Sequence, residues 1–104
     1  MQIELLYFDG CPSYKRAEQL LNEALAEMQT EAEVLKKNII NDDMATAERF
    51  LGSPSIRIDG VDVDPVVRTS TDFGLKCRIY QIDQGIRGWP SKHMIKQAIQ
   101  KAGS

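Results

Sequence analysis

Hydrophobic and polar positions along the chain switch between two periods, and the switches mark its elements. Residues 3–8 (Ile3-Glu4-Leu5-Leu6-Tyr7-Phe8) are apolar and aromatic with one charge, the pattern of a short buried strand. Asp9-Gly10-Cys11-Pro12 breaks the run. From Pro12 to about Gln29 the apolar positions Tyr14, Ala17, Leu20, Leu21, Ala24, Leu25 and Met28 advance in steps of three and four, one face of a helix. Pro12 suits the first helical position, where a missing N–H costs nothing, and this makes Cys11 the N-cap residue.

Residues 33–40 read as a second strand from their length and β-branched content. Asn41-Asp42-Asp43 then caps a short helix carrying Met44, Ala47 and Leu51, with Gly52 at its end. Ser55-Ile56-Arg57-Ile58-Asp59 alternates as a half-buried strand stopped by Gly60. Residues 61–76 show no clear period. Cys77-Arg78-Ile79-Tyr80-Gln81-Ile82 alternates again, Gly85, Gly88 and Pro90 mark a loop, and 91–102 predict a last helix with Ile95, Ala98, Ile99 and Ala102 inward. The order β-α-β-α-β-β-α predicts one α/β domain over residues 1–104. A parallel pair is expected at its start, an antiparallel pair at its end, and helices against a central mixed sheet.

Composition narrows the function classes. A length of 104 residues suits a single core. Thirteen basic and fifteen acidic residues leave a formal charge of −2, so neither nucleic acid nor an anionic membrane is an expected partner. No apolar run approaches a membrane span. Met1-Gln2 leads straight into the first strand without a basic region, so no signal peptide is expected, and a cytoplasmic location follows as the expectation. Two cysteines make neither a disulfide framework nor a four-ligand zinc site, and no metal or cofactor is expected.

The candidate chemistry centres on Cys11. A helix N-terminus stabilises a thiolate through its unpaired N–H groups and the helix dipole, and the thiolate is the nucleophilic form. Ser13 and Tyr14 can supply N–H groups, and Lys15 and Arg16 positive potential, while Asp9 opposes them. Cys11 is therefore expected to be the more reactive thiol. The plain alternative is a small apolar side chain plugging a turn.

Two motifs carry a family resemblance: Phe8-Asp9-Gly10-Cys11-Pro12-Ser13 at the first site, and Leu51-Gly52-Ser53-Pro54-Ser55-Ile56-Arg57-Ile58-Asp59-Gly60 at the second. Strand, loop, Cys-Pro, long helix and a later Pro before a strand resemble the thioredoxin superfamily over nearly the whole chain. The motifs are also similar to those of a branch that includes selenoproteins of a "DF" family, with selenocysteine at the site position. The resemblance implies a thioredoxin-like fold and a cis Ser53–Pro54 bond whose Ser53 backbone faces Cys11, where it can pair with a peptide segment. A trans bond at a helix-to-strand turn is the alternative. Pro12, Ser13, Tyr14, Ser53, Pro54, Gly88 and Trp89 are the candidate substrate-binding residues.

One departure weighs on mechanism. Disulfide oxidoreductases of this fold usually carry Cys-x-x-Cys, whereas Cys11-Pro12-Ser13-Tyr14 places Tyr14 where the resolving thiol stands. Tyr14 is either at the mouth of the site or a core contact. Cys77 is the candidate resolving thiol, but a strand starting at the far pole would hold it roughly 15–20 Å from Cys11, beyond the ~7 Å Cα separation a disulfide tolerates. Only if residues 61–76 fold back across the domain does it come near. Trp89 is a groove border or a core lid. His93 is expected in solvent, as are Asp59, Asp62 and Asp64, which lack calcium-loop spacing. Two readings follow: a thiol-redox protein acting on a thiol or disulfide substrate, a possible thiol-disulfide oxidoreductase, or a non-enzymatic module holding a peptide or soft metal ion at the Ser53-Pro54 edge.

Overall fold

β1 (Gln2–Tyr7) runs through the middle of the molecule because both of its faces are apolar where they meet a partner. The computed structural model describes residues 1–83 and 85–103. β1 pairs in parallel with β2 (Glu33–Asn38) and antiparallel with β3 (Ser55–Ile58), and β4 (Val61–Asp62) pairs antiparallel outside β3. The sheet order is β2-β1-β3-β4. Ile3 lies between Val34 and Ile58, and Leu5 between Lys36 and Ile56.

Strand alternation sends Ile3 and Leu5 of β1, with Ile56 and Ile58 of β3, to one face. There they meet α1 (Ser13–Glu27) and α3 (Lys92–Ala102) through Ala17, Leu20, Leu21, Ala24, Leu25, Ile95, Ala98 and Ile99. Of the helix positions expected from spacing, these are buried, Tyr14 and Met28 are half-buried, and Ala102 is exposed. The short second helix ends at Ala47, which is exposed, so Leu51 and Gly52 lie beyond it and Ala45 is its buried residue. Leu6 points to the opposite face and joins Ile39, Ala45 and Phe50 under α2 (Asp42–Ala47). The result is a mixed sheet between helices. Side chains at N-cap positions start two of these helices: Asn41 Oδ1 accepts from the Met44 N–H at 2.7 Å, and Ser91 Oγ from the Met94 N–H at 3.0 Å. No helix among the described residues is long and apolar enough to cross a membrane.

The expected order fails in one place, and the site depends on it. Residues 77–82 do not form the strand beside β3; the two-residue β4 takes that position. A 3₁₀ turn (Pro65–Val67) follows, and the chain then folds back across the domain. β5 (Tyr80–Ile82) pairs antiparallel with β6 (Gly85–Arg87) in a separate two-stranded sheet. The returning segment lacks periodicity because single hydrogen bonds hold it rather than a buried face. The Gly74 N–H donates to the Phe50 carbonyl at 3.0 Å, and the Leu75 N–H to Asp42 Oδ1 at 3.3 Å.

Candidate functional site

The turn from β1 into α1 sets the position of Cys11. Its N–H closes the turn onto the Phe8 carbonyl at 3.2 Å. Gly10 leaves room for the Phe8 ring, which a Cβ would meet at 2.8 Å. Pro12, rather than Cys11, takes the cap position, with helical angles of φ −73° and ψ −15°, so Cys11 lies one residue further out than the sequence predicts. The helix start nevertheless acts on the sulfur, since the Ser13 N–H is among the groups that bring the Cys11 pKa down.

Ser53 faces Cys11 from the other side. The Ser53–Pro54 peptide is cis, as the second motif leads one to expect. The Cys11 thiol donates to the Ser53 carbonyl at 3.5 Å, and Ser53 Oγ accepts from the Phe8 N–H at 3.4 Å. The motif residues therefore do converge.

The backbone of Ser53 is not open to a peptide. Its N–H donates to the Lys76 carbonyl at 2.8 Å, and its carbonyl accepts from the Arg78 N–H at 2.9 Å. Residues 76–78 thus lie along Ser53 as a one-residue parallel bridge, with Cys77 opposite Ser53. This overturns the expected separation of the two cysteines. Cys77 comes to the same residue that Cys11 touches, near enough for each thiol to shift the proton affinity of the other. The long aperiodic segment folds back, which is the geometry the strand argument disfavoured. Both cysteines are free thiols, Cys11 buried and Cys77 exposed.

A buried polar cluster fixes the covering segment. Arg78, 6% exposed, donates from both terminal nitrogens to Asp62, at 2.7 and 2.8 Å, and to Ser55 Oγ at 3.1 Å. Its guanidinium lies 4.3 Å from the Tyr80 ring centroid, and the Tyr80 hydroxyl donates to the Pro54 carbonyl at 2.5 Å. Burial pushes the Tyr80 phenol far above its usual range, so it remains a donor. Gly52, at φ +121°, permits the approach, because a Cβ there would meet Arg78 Cβ at 3.0 Å and the Lys76 carbonyl at 3.2 Å. Asp62 is thus a buried ion-pair partner rather than a solvated carboxylate. Asp59 is exposed and accepts from the Gln2 N–H, and Asp64 caps the 3₁₀ turn.

The remaining candidates divide. Gly88 packs on the helix start, where a Cβ would fall 2.7 Å from Ser13 Oγ, so it borders the site. Trp89 packs against the main core as a lid. Tyr14 stacks on Tyr7 with ring centroids 4.2 Å apart, and Lys36 lies over both rings. That pair accounts for Tyr14 without a role at the sulfur. Arg16 donates to Gln19, Lys15 is exposed, and His93 is exposed. Among the described residues no three His, Cys, Asp or Glu side chains form a metal-binding group.

The electrostatics of the sulfur pair are asymmetric. Burial pushes the Cys11 thiol up, but the Ser13 N–H, the Cys77 thiol, and the Ser53 and Ser13 hydroxyls outweigh it and bring Cys11 below the ordinary thiol value. Cys77 moves the opposite way. Its proton is held by the interaction with Cys11, and burial and the neighbouring negative charge add to the rise. Lys15 and Arg16 are not needed for the depression.

Comparison with known proteins adds no relative: no family model, no curated protein and no solved structure matches the chain. Sequence reading missed Arg78, Asp62 and Tyr80. The available signal was Arg78 and Tyr80 on one side of an alternating stretch, with acidic residues upstream.

Proposed function

We propose that this protein is a thioredoxin-like thiol-redox domain that cycles between a Cys11/Cys77 dithiol and a Cys11–Cys77 disulfide while exchanging with an external thiol or disulfide, in a reducing cytoplasmic setting. The observation that carries the reading is the meeting of both cysteines at Ser53, Cys11 by its thiol at 3.5 Å and Cys77 by the backbone bridge. A second thiol within reach is what the missing Cys-x-x-Cys leaves wanting. A depressed thiol beside a raised one supports it, because the lower-pKa thiol is the better leaving group when the internal disulfide is reduced.

The chemistry balances on sulfur alone. One protein thiolate attacks a substrate disulfide and expels one substrate thiol as a mixed disulfide forms. The second protein thiol then attacks the protein sulfur of that mixed disulfide and expels the other substrate thiol. The substrate gains two electrons and two protons, and the protein carries one internal disulfide until an external dithiol reduces it. The alternative, a peptide-holding module, loses its main support because residues 76 and 78 already take both backbone groups of Ser53.

Turnover of a small disulfide by an external dithiol tests the reading. The wild type should catalyse it, and Cys11→Ser and Cys77→Ser should each lose about tenfold or more. Full activity in Cys77→Ser would contradict it.

A further inference from the structure

The two sulfurs differ in access as sharply as in acidity. Cys11 is 1% exposed, whereas Cys77 is exposed. Cys11 is covered rather than deep: the Ser13 N–H and hydroxyl lie on one side, and Ser53 with the bridged 76–78 segment on the other. Thiol-disulfide exchange proceeds in line, with the attacking sulfur opposite the leaving one, so a sulfur enclosed on all other sides cannot be approached by an external reagent. Beside Cys77 lies an open surface depression of about 260 Å³ bordered by Leu51, Val67, Ile79 and the ion-paired Lys76 and Asp72. That volume takes a small molecule, and the occupied Ser53 edge leaves no place there for an extended peptide.

Resting on the dithiol reading above, we infer that small-molecule disulfides and thiols exchange at the sulfur of Cys77, and that Cys11 is the internal partner, resolving on oxidation and leaving on reduction. On oxidation Cys77 gives up its proton to the neighbouring Cys11 thiolate as it attacks the external disulfide RSSR. A bond forms between Cys77 and one R sulfur, and RS⁻ departs. Cys11 then gives its proton to that RS⁻ and attacks the Cys77 sulfur. The Cys11–Cys77 bond forms, and the second RS⁻ leaves and takes a proton from water. On reduction an external thiolate attacks Cys77 and expels Cys11. The lower-pKa thiol is the better leaving group, and attack at Cys11 would have to expel the higher-pKa thiol instead.

The order of attack is read by mass spectrometry after exposure to hydroxyethyl disulfide near neutral pH. Cys11→Ser should accumulate the mixed disulfide about tenfold or more faster than Cys77→Ser in the native state, and the gap should close in urea, where access is equal. Brief iodoacetamide labelling of the reduced wild type, mapped by peptide, supplies the same comparison without substitution and should mark Cys77 first. Adduct forming as fast or faster in native Cys77→Ser, or first labelling of Cys11, overturns the inference. The wild type in the same reaction should end as the internal disulfide. If it stops instead at a stable adduct, the dithiol reading itself fails, a result distinct from the wrong order of attack.

Discussion

Arg78 grips Asp62 with both terminal guanidinium nitrogens, at 2.7 and 2.8 Å, across sixteen residues of chain. Through that ion pair the return segment is tied to the short β4 strand, and Cys77 is held one residue from the anchor. A buried charge pair contributes modestly to net stability, but removing one partner strands the other away from water.

Asp62→Asn should therefore cost about 3–5 kcal/mol in urea unfolding, since Arg78 is left without its carboxylate. Asp62→Ala combined with Arg78→Met, which removes both charges, should cost clearly less than Asp62→Asn alone. Additive losses in that double variant would mean that the pair does not act as a unit.

Gly52→Ala is expected to act twice. It places a Cβ at a positive φ and drives it against Arg78 and the Lys76 carbonyl. The strain costs about 1–3 kcal/mol, and relief comes most easily by shifting residues 76–78 away from Ser53. Internal disulfide formation should slow more than thermal stability alone explains, as measured by quenched oxidation well below the melting temperature. An unchanged oxidation rate would show that the 76–78 segment does not set the encounter of the sulfurs.

The Cys11 pKa should rise in Cys77→Ala, because the Cys77 thiol is one of the donors that favours the Cys11 thiolate. The reverse substitution, Cys11→Ala, should lower the Cys77 pKa by removing the acceptor and charge that hold its proton. Thiolate absorbance in the ultraviolet, followed against pH, reads both shifts. Movement of either in the opposite direction would contradict the mutual influence of the two thiols.

Gly88→Ala should also raise the Cys11 pKa. The new methyl group would lie 2.7 Å from Ser13 Oγ, and the Ser13 hydroxyl, which supports the thiolate, must move away. The same titration checks it, with Ser13→Ala as the companion expected to shift in the same direction.

Half of the site was legible in the chain because it is local. The helix face of Ala17, Leu20, Leu21, Ala24 and Leu25 follows from spacing, and Cys11-Pro12 at its start places the sulfur near the Ser13 N–H. Ser53-Pro54 was found through its motif and its residue types. Cys77 was misplaced because its position is decided by tertiary pairing. Nothing between 61 and 76 carries a period, so the choice between a fourth central strand and a returning strap rested on fold analogy alone. Alternation misled as well. Apolar Ile79 is 70% exposed while Arg78 is buried, since a two-point ion pair with Asp62 and contact with Tyr80 outweigh the cost of burying the charge. The sequence motif also suggested an open edge at Ser53, which residues 76–78 fill.

The central claim is that Cys11 and Cys77 form one redox pair. The most direct test equilibrates the reduced protein in defined mixtures of reduced and oxidised glutathione, quenches with acid and maps the thiols by mass spectrometry. The account predicts a reversible transition from dithiol to a monomeric species lacking two hydrogens, with the Cys11 and Cys77 peptides joined. Accumulation of glutathione adducts or cysteine-linked dimers across the whole range, without that internal crosslink, would contradict it.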